Sequence, residues 1–315
     1  MRRAKPGVLQ DSPSVFLLFS FIRPRRCHYP ACSGEKGMSQ RLQIHPFSLQ
    51  DTLECGQFFR FTRTMGTYIV QSGGRIFSLW QKGDSLFYEG VDERFLIQFF
   101  RLNEKLDLIL KDVDRDPFVH QAIQKYRGMR LIRQDPWECL ISYLCSSAKA
   151  IPHIRSLIEA LCKASGRKSY WGSFISYEFP EPDSIKGPHQ LEPVRAGFRT
   201  GYLVKTSQCI DRNQLLALKD LSYEEARQSL MRLPGVGKKV ADCVLLYSLD
   251  FLEAFPIDTW IKKGLQKFYF GGKRVGERKT EKFLSDHFGP MAGYAQLYLY
   301  HFWRQHPVLV NSVSA

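Results

Sequence analysis

The apolar pattern of this chain changes period once, and that change limits what the chain can fold into. From Phe58 to Tyr88, the β-branched and aromatic runs Thr67–Val70, Arg75–Leu79 and Ser85–Tyr88 are separated by Ser72-Gly73-Gly74 and Lys82-Gly83-Asp84. Glycine-bearing turns between such runs signal antiparallel hairpins. From about Asp92 onward the apolar residues recur at helical spacing instead. Asp135-Pro136-Trp137-Glu138 is a strong helix start, with a capping Asp, a Pro in the first turn and a Glu three residues after the cap. Leu140, Ile141, Leu144 and Cys145 then continue one apolar face. A looser stretch runs from Gly166 to Pro182, helices resume over Gly201–Asp211, and Ser222 with Glu225 forms a capping box for a helix ending at Leu233. Strands followed by helices, without alternation, predict an α+β fold: a small antiparallel sheet, then an all-helical body.

A length of 315 residues suits two domains and a sizeable core. The expected divisions are 1–37 as an atypical extension, 38–128 as the sheet domain, 129–307 as the helical domain and 308–315 as a tail. Residues 1–37 carry seven basic and two acidic side chains and an apolar run, Val15–Ile22, with poor flanks for a signal peptide. They read as a disordered or targeting extension, or as a non-native start upstream of Met38. The apolar runs fall short of the ~18 residues that a membrane helix needs, so no membrane partner is expected. Across the chain, 45 Lys and Arg against 31 Asp and Glu leave +14, a balance suited to a polyanion. The eight cysteines form neither paired CxxC spacings nor a His/Cys cluster. A reducing compartment and no metal are expected.

The informative stretch is Leu233-Pro-Gly-Val-Gly-Lys-Lys-Val-Ala-Asp-Cys243, followed by Phe255-Pro-Ile-Asp258. One helix stops, Pro234-Gly235-Val236-Gly237 turns the chain, and a second helix starts at about Lys238. Amides at a helix N-terminus with a lysine beside them suit a phosphate, although a bare GxG turn serves equally as a packing device. Lys239 lies one turn before Cys243, so both can share a helix face. Asp258, after Pro256, is placed to cap a further helix. A lysine near a carboxylate is either an ordinary ion pair or a tuned nucleophile, and on this motif alone the ion pair is the simpler reading.

Leu233–Cys243 with Phe255–Asp258 resembles the helix-hairpin-helix and downstream Asp of DNA glycosylases, in particular the 8-oxoguanine DNA glycosylase/AP lyases. Further segments match in the family's order: Cys55-Gly56-Gln57-Phe58-Phe59-Arg60-Phe61, Met129–Ser147, Gly197–Tyr202 and Gly289–Gln296, together spanning roughly residues 40–305. The resemblance implies a sheet domain packed on a helical glycosylase domain, and flipping of the damaged base out of duplex DNA. It implies that Lys239 attacks the deoxyribose anomeric carbon, that Asp258 assists, and that the resulting Schiff base permits β-elimination. Lys238, the neighbouring amine, stands at the family's variable position. Gly56 would offer its carbonyl to the N7–H of 8-oxoguanine. Cys243 and Tyr300 would sandwich the base, and Gln296 would bond its Watson–Crick edge. Gly235, Val236, Gly237 and Lys238 would meet the DNA backbone, and Arg199 would approach the orphaned opposite base.

The chain departs from the family at Ala148-Lys149-Ala150, where an Asn run is usual, at His153 in place of Arg, at Trp260 in place of His and at Trp303 in place of Asp. Ala148 cannot hydrogen-bond an estranged cytosine, so a relaxed opposite-base preference is expected. The expectation is therefore a base-excision repair enzyme without cofactor, acting on damaged double-stranded DNA as a monomer. It would work in the cytoplasm at the nucleoid of a bacterium, or in the nucleus of a eukaryote. Two alternatives stay open: a glycosylase for another damaged purine, and a non-catalytic helix-hairpin-helix DNA-binding protein, which would not need Lys239 and Asp258 together.

Overall fold

The computed structural model describes residues 39–147 and 149–311; the segment 1–37, Ala148 and residues 312–315 of the expected tail lie outside them. Strands β1 (Gln40–Gln43), β2 (Phe61–Thr64), β3 (Thr67–Ser72), β4 (Arg75–Lys82) and β5 (Ser85–Glu89) form an antiparallel sheet ordered β1-β5-β4-β3-β2. Two-residue turns at Met65-Gly66, Gly73-Gly74 and Gly83-Asp84 pair Thr64 with Thr67, Ser72 with Arg75 and Lys82 with Ser85, which locks the register. With period two, Tyr68, Val70, Phe77, Leu79, Leu86 and Tyr88 are all buried in one core with Leu49 and Leu53 of α1 (Leu49–Glu54) and Leu96 and Phe99 of α2 (Glu93–Phe99).

The second core is helical. Its centre is α5 (Pro136–Cys145), reached after α3 (Leu106–Val113) and α4 (Pro117–Lys125). Every residue of α5 from Trp137 to Cys145 is buried, the polar Glu138 and Ser142 included, with Glu138 accepting from the Gly73 amide at 3.0 Å. The apolar faces of α3 (Leu106, Leu110, Val113) and α4 (Val119, Ala122, Ile123) belong to the helical core, as do Cys55 and Phe59, while Ile132 lies in the sheet core, so the two cores interleave in sequence.

The helix α6 (Ile151–Ser165) leads into a hairpin, β6 (Lys168–Trp171) and β7 (Phe174–Tyr177), in the stretch read from sequence as loose. This hairpin ties back to the sheet: Ser176 Oγ donates to Gln71 Oε1 at 2.6 Å, and Arg60 Nη2 donates to the Tyr177 carbonyl at 2.6 Å. Helices α7 (Arg199–Cys209), α8 (Arg212–Ala217) and α9 (Tyr223–Met231) follow. Ser222 closes the anticipated capping box on α9 with Glu225. The remaining helices are α10 (Lys238–Ser248), α11 (Thr259–Gly264), α12 (Glu277–Phe288), α13 (Ala292–Gln305) and α14 (Pro307–Asn311). Part of the expected tail is thus α14, whose Val310 is buried in the helical core.

Candidate active site

The hairpin between α9 and α10 is held from both sides. Inside, Arg227 Nε and Tyr223 Oη both reach Asp242 Oδ1, at 3.0 and 2.8 Å, and staple the two helices together. Burial pushes the Asp242 carboxyl up to about 6, with Arg227 and Tyr223 opposing. Outside, Thr206 Oγ1 donates to the Pro234 carbonyl at 3.1 Å. Gly235 has φ +79, and a Cβ there would lie 2.5 Å from the Tyr202 ring, so only glycine fits. Val236 plugs the core, Gly235 and Gly237 are exposed, and no side chain caps the amides that open α10. Such amides are ready-made donors for an anion.

The two lysines that begin α10 have opposite surroundings. Lys238 Nζ pairs with Glu277 at 3.0 Å and Glu281 at 3.2 Å, both on α12. The Glu277 hydrogen bond holds this amine above the ordinary lysine value. The Lys238 side chain is thus engaged by two carboxylates of α12, while the backbone amides beside it stay open. Lys239 turns the other way, into a cavity of about 750 Å³ between α5, α10, α11 and α13. Its Nζ donates to Ser146 Oγ at 3.0 Å and stands 4.8 Å from the centre of the Tyr143 ring.

The cavity also receives Asp258, Cys243, Gln296, Tyr300 and Gly56. Asp258 is the N-cap of α11, its Oδ1 accepting from the Ile261 amide at 2.9 Å. Burial raises its carboxyl above the ordinary value, with that amide and Lys239 opposing. Burial likewise pushes the Cys243 thiol up to about 12, so it presents a neutral wall. Gln296, expected to reach a base, is buried and already half engaged: Nε2 donates to the Pro256 carbonyl at 3.1 Å and Oε1 accepts from Tyr247 at 3.3 Å. One amide hydrogen and one lone pair remain. Tyr300, also on the cavity wall, is half-buried. Gly56 has φ +100, and a Cβ there would meet Ile151 Cδ1 at 2.8 Å and Tyr300 Oη at 3.3 Å.

Gly56 is held there by its neighbour. The buried Gln57 side chain donates to the Thr52 and Arg130 carbonyls and accepts from the Ile132 amide. Its own carbonyl accepts from Tyr143 Oη at 3.0 Å and Gln134 Nε2 at 2.7 Å. Gln57 therefore stitches the glycine to α5 and to the strand-like approach before it.

Arg199 is the clearest departure from expectation. It is 3% exposed, donates to the Ala196 and Ser147 carbonyls, and packs its guanidinium 4.2 Å from the Phe198 ring centre. The side chain that projects is Phe198, 63% exposed. Ala148 lies outside the described residues, while Lys149, Ala150 and His153 beside it are exposed. Trp260 lines the cavity, and Trp303 is buried, stacking on Phe268 at 5.7 Å. Sequence reasoning missed Ser146 and Arg304, which also line the cavity. Ser146 stood inside a matched segment without a role; Arg304, one turn after Tyr300, carried no signal beyond that spacing.

Residues 40–140 match the family model described as 8-oxoguanine DNA glycosylase, N-terminal domain. The N-glycosylase/DNA lyase OGG1 of Arabidopsis thaliana is 30% identical over 275 residues, covering 79% of this chain and 75% of that protein. The chain belongs to the 8-oxoguanine DNA glycosylase/lyase family. The Clostridium acetobutylicum 8-oxoguanine glycosylase/lyase, solved with double-stranded DNA containing cytosine opposite 8-oxoguanine, superposes with a TM-score of 0.80 at 30% identity, over 86% of this chain and 98% of that one. A 3-methyladenine DNA glycosylase from Archaeoglobus fulgidus shares the fold, with a TM-score of 0.70 at 17% identity. For a member of the glycosylase/lyase family, the cavity combines an amine, a carboxylate and apolar walls beside a helix N-terminus open to a phosphate.

Proposed function

We infer that this chain excises 8-oxoguanine from duplex DNA and then cuts the strand at the sugar it has exposed. The observation that carries the reading is the convergence of Lys239 and Asp258 on one cavity, with the motif's other lysine, Lys238, paired elsewhere. The damaged nucleotide leaves the stack to enter this cavity, which costs a few kcal/mol of unstacking, roughly offset by contacts in the pocket. The neighbouring phosphate is suited to the open amides of α10.

Lys239 Nζ, having shed a proton, gives its lone pair to C1′ of the sugar. The C1′–N9 bond breaks, its electron pair passes to N9, and a proton lost by the newly bonded Nζ goes to the departing base. Asp258 stabilises the positive charge that develops on the sugar. The Nζ lone pair then forms the C1′=Nζ bond, O4′ leaves with its electron pair and takes up the proton that Lys239 first passed to Asp258, and the open ring carries a protonated Schiff base between C1′ and Nζ. Loss of a proton from C2′ then expels the 3′ phosphate, and water releases Lys239. On this reading the protein binds as a monomer, wherever the genome is kept.

Single-turnover reaction with an 8-oxoguanine duplex, read on a denaturing gel without alkali, tests the function. Strand cleavage by β-elimination is expected. Base release that needs alkali to cut the strand would remove the lyase step, and no release would remove the substrate.

Ser146 bears on the first step. Its hydroxyl hydrogen is donated to the Tyr143 carbonyl at 2.7 Å, so its oxygen can only accept from Lys239. It orients the amine without quenching the lone pair. Ser146→Ala should slow Schiff-base formation about three- to tenfold, the worth of one hydrogen bond of about 1 kcal/mol, with duplex affinity unchanged. Equal rates for the two proteins would remove this positioning role.

The charge predicts salt-sensitive binding. For about five phosphate contacts, log K for undamaged duplex should fall with log[salt] at a slope of about −4 to −5. A flat titration between low and moderate salt would contradict it.

A further inference from the structure

Arg304 is a cation in the wall of the cavity that the proposed chemistry does not use. It lies on α13 one turn after Tyr300, on the same face, with its guanidinium 5.5 Å from the centre of that ring. Nη2 donates to the Glu54 carbonyl at 3.0 Å, just before Gly56 in the chain, and lies 3.4 Å from His301 Nδ1. These contacts fix the fork against the Gly56 wall. Nη1 lies 3.4 Å from the point that a methyl on Gly56 would occupy.

The group is short of partners. Nε is buried with no hydrogen-bond partner, and among the described residues no carboxylate forms an ion pair with Arg304. His301 beside it is held neutral, burial lowering it to about 4. A planar donor fork with no carboxylate in direct ion-pair contact, set in a pocket wall, is complementary to oxygen acceptors on a ligand.

Resting on the function proposed above, we propose that Arg304 reads the C6 carbonyl of the everted purine and so selects a guanine-type over an adenine-type base. With C1′ at Lys239 and N7–H at the Gly56 carbonyl, the two purine oxygens lie on either side of N7. O8 is on the sugar side, towards Lys239. O6 is on the far side. Lys239 is held by Ser146 and Tyr143, whereas Arg304 is held by Glu54 and borders Gly56, which places its donors at the O6 end. An adenine-type base presents an amine there, donor against donor, and leaves the buried fork without an acceptor.

The test compares Arg304→Met, which keeps length and loses every donor, with wild type and Arg304→Lys in three single-turnover assays: 8-oxoguanine duplex, 8-oxoadenine duplex and abasic duplex. For Arg304→Met, 8-oxoguanine excision should fall about tenfold while cleavage of the abasic strand stays within about twofold, as expected for loss of one well-made contact to a base. The preference for 8-oxoguanine over 8-oxoadenine should shrink by the same factor, and Arg304→Lys should recover part of it. Retained abasic cleavage also reports that the variant is folded. Abasic cleavage falling together with excision would make Arg304 a phosphate or packing residue and overturn the proposal, as would an unchanged preference between the two bases. A wild-type chain that cuts abasic DNA yet releases neither purine would instead count against the function proposed above.

Discussion

Lys239→Gln should abolish covalent trapping on an 8-oxoguanine duplex under borohydride and lower excision by about 1000-fold, equivalent to about 4 kcal/mol of barrier. Glutamine keeps most of the length and the polarity, so the cavity and the DNA surface are left in place, but an amide has no lone pair able to form a Schiff base. Lys238→Gln should still trap. Its amine is engaged by Glu277 and Glu281, is held protonated, and faces α12 rather than the cavity. Loss of trapping from Lys238→Gln alone would reverse the assignment. Equal loss from both would mean that the two lysines act as a charged pair, with no single nucleophile. Gel-shift affinity measured beside the trapping separates loss of chemistry from loss of binding.

Gly56→Ala should be the most damaging small change in the base pocket. At φ +100 an L-residue is strained by about 1–3 kcal/mol, and the methyl would crowd Ile151, Tyr300 and Arg304, all on the cavity wall. Ile151 can yield, being the end of a flexible side chain. The backbone cannot. Excision of 8-oxoguanine should fall about 100-fold, the compound effect of a filled pocket and a displaced carbonyl acceptor. Cleavage of a pre-formed abasic site, which has no base to seat, should fall far less. Thermal unfolding should drop by a few degrees, in line with the strain alone. Equal rates for wild type and variant on 8-oxoguanine would show that the base does not sit against Gly56.

The fold was legible where one local signal outweighed the rest. Gly-bearing turns announced β3, β4 and β5, and Asp135-Pro136 and Ser222 with Glu225 announced α5 and α9, because caps and turns are properties of a few adjacent residues. The hairpin of β6 and β7 was not legible. Its strands hold four residues each, and its place is fixed by Ser176 and Arg60 contacts to the distant sheet. The interleaving of the two cores was not legible either, since α3 and α4 follow the sheet in sequence but bury their faces among the other helices.

At the site, Lys239, Asp258, Gly56, Cys243, Gln296 and Tyr300 were named from their motifs, and the cavity brings all six together. Which way a side chain turns was beyond the motifs. Lys238 and Lys239 are neighbours in sequence and point to different partners because successive helical positions diverge by about 100°. Arg199 turns inward because two backbone carbonyls nearby offer acceptors. Ser146 and Arg304 act through geometry that no short pattern encodes.

The central claim is that one amine of this chain becomes covalently attached to the sugar. Its most direct test is borohydride reduction of wild type on an 8-oxoguanine duplex, followed by nuclease digestion and peptide mapping of the adduct by mass spectrometry. The remnant of deoxyribose is expected on Lys239. Its recovery on Lys238, Lys262 or an N-terminal amine, or excision of the base with no adduct at all, would contradict the account.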